Sequence, residues 1–147
     1  MENFDNLLLQ NQVCFPLYVC SREVINAYRP FLEKLDITYT QYITLMVLWE
    51  KRSVTVKELC RTLHLDSGTL TPLLKKLEAK GLVERVRSSV DERSVLANIT
   101  EKGMNLREDA VKIPREMMKC VEGFSQEEAQ RLRNLLDKLL CALWKAK

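Results

Sequence analysis

Glycine and proline are scarce, four of each in 147 residues, and aromatic side chains make up only 7% of the chain. So few backbone breakers beside an apolar share of 46% exclude a disordered or collagen-like chain. There is one histidine, His64, and no Cys-x-x-Cys pair, so zinc-ligand spacing is missing and neither a metal nor another cofactor is expected. No apolar run approaches the roughly 20 residues of a membrane span. The opening residues, MENFDNLLLQ, lack the basic start and small-residue cleavage site of a signal peptide. A cytoplasmic protein without a membrane partner is therefore expected. In that reducing compartment the five cysteines do not form a disulfide scaffold. A net charge of +3 is no polybasic signature, so any nucleic-acid contact has to come from a local basic surface.

What is present is mostly helical period. Val13, Leu17, Cys20, Val24, Tyr28 and Phe31 recur at three- and four-residue steps, which predicts a first helix reaching about Leu35. Pro16 is tolerated only in a first turn, so regular helix is expected to begin near residues 13–15, with Cys14 close to its N-terminus. Thr38 with Gln41 forms a capping-box pattern before a second helix, whose buried face is read as Tyr42, Leu45, Met46 and Trp49. Thr55 with Glu58 repeats the pattern before a third helix carrying Val56, Leu59, Cys60 and Leu63. HLDSG then interrupts, and Asp66 or Ser67 caps a fourth helix with Leu70, Leu73, Leu74 and Leu77 inside and Gly81 as its stop. LVERVR and SVLANIT read as strands joined by the polar tip SSVDER. Helix resumes after Thr100, is restarted or kinked at Pro114, and resumes again behind a Ser125/Glu128 capping box. A leucine stripe follows at 132, 135, 136, 139, 140 and 143.

The order of elements is that of a winged helix-turn-helix: mainly α, with a β-hairpin wing and N- and C-terminal helices forming a dimer interface. One domain is expected over residues 1–147. Residues 38–100 form its DNA-binding part, and 6–35 and 101–147 its dimerisation helices. The leucine stripe can serve the chain's own core, the dimer, or both. In LDSGTLTPLLKKLEAKG one face is leucine, and the other presents Ser67, Thr69, Thr71, Pro72, Lys75 and Lys76. Small hydroxyls at a helix N-terminus suit phosphates and base edges, and lysines supply phosphate contacts. Arg85 and Arg87 share a strand face. At the hairpin tip Asp91 stands two residues from Arg93, placed to fix its guanidinium beside a minor groove. Each of these features alone reads more readily as a solvated face or a structural ion pair, but their order together points to double-stranded DNA.

At these residues the chain resembles the MarR family of winged-helix transcription regulators. LDSGTLTPLLKKLEAKGLVER is similar to its recognition helix, and DERSVLANITEKG to its wing. Cys14, Tyr18, Tyr28 and ITYTQY narrow the resemblance to the OhrR-type, organic-hydroperoxide-sensing repressors, over essentially the whole chain. The resemblance implies that Cys14 is the peroxide-reactive thiol and that Tyr18 and Tyr28 are hydrogen-bonding partners reached across the dimer interface. It also implies a homodimer on a pseudo-palindromic operator, with an organic hydroperoxide as inducer. In the two-cysteine version of this branch a second cysteine, here Cys120 in REMMKCVEG, resolves the oxidised thiol into a disulfide. Pro16 departs from the family pattern. Cys20 is read as core filler, Cys60 as packed between the third and fourth helices, Cys141 as part of the leucine-rich helix, and His64 as a turn or surface residue. Competing readings are a regulator switched by a non-covalently bound small molecule, a global regulator using thiol oxidation, and a thiol peroxidase.

Overall fold

The computed structural model describes residues 4–91 and 93–145. Residues 1–3, Glu92 of the expected hairpin tip, and residues 146–147 at the end of the expected dimerisation segment 101–147 lie outside the described residues. Two short 3-10 turns, Phe4–Leu7 and Leu9–Asn11, precede α1, Cys14–Glu33. Then come α2 (Tyr39–Lys51), β1 (Ser53–Thr55), α3 (Val56–Leu63), α4 (Ser67–Ala79), β2 (Val83–Arg87), β3 (Val95–Ile99) and α5 (Glu101–Ala110). Two helices close the chain, α6 (Ile113–Cys120) and α7 (Gln126–Lys145). The chain divides into two compact units, Met1–Ile113 and Pro114–Lys147.

In the first unit the expected helices and hairpin are present, and their caps explain their limits. The Thr38/Gln41 capping box is complete: the Gln41 N–H donates to Thr38 Oγ1, and the Thr38 N–H to Gln41 Oε1. At Thr55 it is only half formed. The hydroxyl accepts from the Glu58 N–H at 3.1 Å, but the Glu58 carboxylate is drawn away to Lys51 Nζ at 2.6 Å. Helix α4 ends in a Schellman turn, with the Gly81 N–H on the Glu78 carbonyl, the Leu82 N–H on the Leu77 carbonyl, and Gly81 at φ 71°.

Three departures from expectation are informative. The sheet has three strands, ordered β1-β3-β2 and antiparallel throughout. β1 is three residues long, too short for a period to show, and is held by pairing Val54 with Ala97. Met46 is exposed rather than buried. The inner face of α2 is Gln41, Tyr42, Thr44, Leu45 and Leu48, and Met46 falls to one side of it. Helix α1 ends two residues early and carries Pro30 near its end.

The core sits between α2, α3, α4 and the sheet. Leu45, Leu48, Leu59, Leu70, Leu74, Leu77 and Val83 are almost wholly withdrawn from solvent. Each side chain of this size stabilises the fold by about 1.5–3 kcal/mol through burial. Trp49 ties α2 to α5, its Nε1–H donating to the Gly103 carbonyl at 2.8 Å.

In the second unit the Ser125/Glu128 capping box is formed in both directions. α7 buries none of its residues, and its leucines are exposed. No described helix is long and apolar enough to cross a membrane.

Candidate nucleic-acid interface and thiol site

The turn between α3 and α4 is built from three local devices. His64 closes α3 in the left-handed region at φ 54°, and the Leu65 N–H reaches back to the Cys60 carbonyl at 3.0 Å. Asp66, not Ser67, is the cap of α4: Oδ1 accepts the Thr69 N–H at 2.8 Å, and Oδ2 faces the Thr69 hydroxyl at 3.2 Å. Burying Leu70, Leu73, Leu74 and Leu77 turns Ser67, Thr69, Pro72, Lys75 and Lys76 outward, with Thr71 half-buried at the edge. The exposed face therefore begins with small polar groups and ends in two lysines.

The wing differs in detail from its sequence reading. Arg85 does not stand free beside Arg87. Its Nε and Nη2 donate to Glu78 Oε2 at 3.1 and 2.9 Å, and its N–H to Oε1, which locks β2 onto α4. These bonds hold the Glu78 carboxyl below the usual carboxylate range, the Arg85 side chain contributing most. Arg87 is exposed. Asp91 does not fix the Arg93 guanidinium. It accepts the Ser94 hydroxyl at 2.8 Å and the Arg93 main-chain N–H at 3.0 Å, and the two bonds, the hydroxyl's foremost, lower its carboxyl. Asp91 thus shapes the turn and leaves the exposed Arg93 side chain to other contacts. Thr71 and Arg93 come together on the wall of a groove of about 400 Å³ shared by α3, α4 and the wing.

Lys75 and Lys76 are exposed and make no ion pair among the described residues. If they meet phosphates, replacing both by alanine should flatten the salt dependence of DNA binding by about one log–log unit for each phosphate no longer neutralised. Binding titrations at several salt concentrations measure this, and an unchanged slope removes them from the interface.

Cys14 is the first residue of α1 and is exposed. Pro16 falls in the first turn, where its missing N–H costs no helical bond. Tyr18 lies one turn on, exposed, with the Arg22 guanidinium 5.4 Å from its ring centroid and Arg22 Nη1 donating to its hydroxyl at 3.4 Å. Tyr28 sits apart, packed with Tyr39 and Tyr42 at ring separations of 5.1 and 6.0 Å. Burial, and secondarily Tyr39, raises its phenol above the ordinary value, so it stays protonated and able to donate at neutral pH.

Cys120 ends α6, exposed, with its Sγ 3.5 Å from the Glu116 carbonyl. Cys20 is exposed and not core filler; it lies on the part of α1 that reaches beyond the core. Cys60 is half-buried in α3, and Cys141 is exposed on α7. Sequence reasoning missed two participants. The i+4 spacing of Tyr18 and Arg22 was a usable signal, whereas nothing local to Glu78 or Arg85 announces their pairing.

A helix-turn-helix with an exposed second helix, backed by a locked two-stranded wing, defines a winged-helix DNA-reading protein. Residues 26–110 match the family of transcriptional regulators SarA/Rot. The organic hydroperoxide resistance transcriptional regulator of Bacillus subtilis is 49% identical over 144 residues, covering 97% of this chain and 95% of the relative. Among solved structures, reduced AbfR bound to DNA, from Staphylococcus epidermidis, aligns with a TM-score of 0.78 at 32% identity, covering 95% of this chain and 97% of that one. Disulfide-formed AbfR aligns at 0.62 and 32% identity, over 97% and 94%. The chain belongs to the MarR family of winged-helix transcription regulators, in its OhrR-type branch, a family of regulators and not of enzymes.

Proposed function

We propose that the protein is a cytoplasmic, homodimeric repressor that reads a pseudo-palindromic operator with α4 and the wing and releases it when an organic hydroperoxide oxidises Cys14. The observation that carries this reading is the position of Cys14: exposed, at the first residue of a twenty-residue helix. The thiolate is the form that attacks peroxides, and an exposed sulfur at the start of a helix is open to one. Its neighbours Val13, Phe15 and Leu17 are exposed apolar side chains, and Leu8, Leu9, Gln10 and Phe15 line an open groove of about 480 Å³. Such surroundings favour an alkyl hydroperoxide over hydrogen peroxide. The relatives' roles, resistance to organic hydroperoxide in one and a disulfide state in the other, support the same chemistry.

In the reaction the Cys14 sulfur attacks the terminal peroxide oxygen. An S–O bond forms, the O–O bond breaks, and the alkoxide leaves and takes up a proton as the alcohol. Sulfur loses two electrons and the peroxide gains them. The Cys120 thiol of a partner subunit then displaces water from the sulfenic acid to give a disulfide. Residues 38–100 supply the DNA-reading part, and 6–35 and 101–147 the dimerisation helices. The exposed leucines of α7 support a second copy as their cover.

A dimer of this class spans successive major grooves about 34–36 Å apart, so a strained interface puts the heads out of register. A strain of about 1.4 kcal/mol already costs tenfold in operator affinity. Fluorescence anisotropy on the DNA upstream of the protein's own gene tests the proposal. Reduced protein should bind, and one equivalent of cumene hydroperoxide should release it. Cys120→Ser should give no intersubunit disulfide on a non-reducing gel and should need an added small thiol for full release. Retention of DNA after stoichiometric oxidation contradicts the reading.

A further inference from the structure

We infer, resting on α4 and the wing as the elements that read DNA, that Glu78 and Arg85 are a positioning pair that sets operator specificity. Their clamp fixes the angle between the wing and the recognition helix. Base pairs flanking those read by α4 are then discriminated by the wing through the minor groove. Neither residue has to touch a base.

Glu78 stands where a carboxylate is out of place. It lies in the last turn of α4, one residue before the helix ends. Negative charge at a helix C-terminus opposes the macrodipole, and on a DNA-reading helix it also repels phosphate. Lys75, three residues back, is spaced to pair with it along the helix. Both carboxylate oxygens nevertheless go to Arg85. Oε2 accepts from Nε at 3.1 Å and from Nη2 at 2.9 Å, and Oε1 accepts the main-chain N–H at 3.2 Å. The last bond is the most informative. β2 is an edge strand in the order β1-β3-β2, and its Arg85 amide turns to the carboxylate and not to β3. A group that holds both the side chain and the main chain of one residue fixes the strand itself.

Outward from Arg85 the wing has little else to hold it. Among the described residues, none of 86–94 hydrogen-bonds to an element outside the hairpin. Val86, Val90 and Val95 are exposed, so apolar packing does not fix this part either. Arg87 and Arg93, the exposed cations of the wing, both lie beyond the clamp, and Arg93 shares a groove wall with Thr71 of α4. A partly exposed ion pair contributes little to stability, so the consequence of this one is geometric. Whether Arg93 meets the minor groove beside the major groove of α4 depends on the wing angle. Readout there is largely A·T against G·C, through the guanine amino group.

The test is anisotropy of the full-length reduced protein on the DNA upstream of its own gene, with each A·T pair of the bound site replaced in turn by G·C or by inosine·C. Inosine lacks the amino group, so inosine·C keeps the A·T face in the minor groove while showing the G·C pattern in the major groove. Pairs read by α4 should respond alike to both replacements. At wing-read flanking pairs wild type should lose about tenfold in affinity to G·C and less than about twofold to inosine·C. Glu78→Met should reduce that tenfold preference to about twofold, and Arg85→Met, which keeps the main-chain bond, to about fourfold. The double variant should lose no more than Glu78→Met alone, because each residue acts through the other. Discrimination at the α4-read pairs should stay as in wild type in all three. A ratio of affinities for two DNAs does not depend on the folded fraction, so a destabilised variant still gives the readout. Unchanged flank preference in Glu78→Met overturns the inference, as does an additive loss in the double variant. Equal loss at α4-read and wing-read pairs overturns it too, because the pair then only holds the fold. Indifference of wild type to the amino group at every flanking pair is a separate failure: it overturns the minor-groove reading of the wing, and the inference with it.

Discussion

Replacing Gly103 by alanine should destabilise the protein by about 3 kcal/mol, at the upper end of what overpacking costs. A Cβ at this position would sit 2.1 Å from the Leu82 carbonyl oxygen, and 3.0 Å from both its carbon and Ile99 Cγ1. The obstacle is backbone, and it cannot rotate aside. It is also engaged: the Leu82 carbonyl accepts the Thr100 N–H at 3.1 Å, and the Thr100 hydroxyl reaches the Gly81 carbonyl at 2.6 Å. These bonds join the end of the recognition helix to the end of the wing and the start of α5. Trp49 holds the far side of Gly103 through its carbonyl. Differential scanning calorimetry should show a fall in Tm of about 10 °C for a chain of this length. Operator affinity should weaken as well, because the displaced strand end carries the wing. Gly68→Ala is the control: its Cβ would meet only the Asp66 carboxylate, at 3.1 Å, and an alanine there gains helix propensity. Equal stability of wild type and Gly103→Ala would mean that α5 can retreat from the wing.

Elements with long periods and complete caps were legible in the sequence. The leucines of α4, the Thr38/Gln41 box and the Gly81 stop each depend on residues within a few positions, so local rules reach them. β1 was not legible because three residues carry no period, and its existence depends on β3, more than forty residues away. The same distance hid the hydrogen bond from Trp49 to Gly103. Met46 was misread because it lies one helical step from the buried Tyr42 and satisfies the same spacing, and only the neighbouring elements decide how far round the helix the inner face extends.

The site divides along the same line. The outward face of α4 follows from burying its leucines, and the placement of Cys14 follows from what Pro16 permits. The wing was read from charge order alone, which puts Arg85 and Arg87 on one strand face and Asp91 beside Arg93 but does not say which atoms bond. Arg85 went to Glu78 because β2 packs back on α4. Asp91 went to the Ser94 hydroxyl and a main-chain N–H because a tight turn brings those donors closer than a long guanidinium. The exposed apolar faces of α1 and α7 fit the second copy of the chain proposed above, and the stripe's periodicity alone left core and dimer equally open.

The central claim is that one sulfur atom connects peroxide to DNA. Cys14→Ser removes the sulfur and keeps the size and the helix start, since serine is well tolerated in a first turn and Cys14 is exposed. Reduced binding should therefore stay within about twofold of wild type, a change of about 0.4 kcal/mol. The response to oxidant should be lost completely, because serine is not oxidised by a hydroperoxide under these conditions and Cys20, Cys60, Cys120 and Cys141 do not occupy the start of α1. The decisive measurement is anisotropy of operator-bound wild type and Cys14→Ser, side by side, through a titration with cumene hydroperoxide. Release by wild type at about one equivalent, with Cys14→Ser bound throughout, is the predicted result. Release of both proteins at the same oxidant concentration would contradict it and place the switch elsewhere in the molecule.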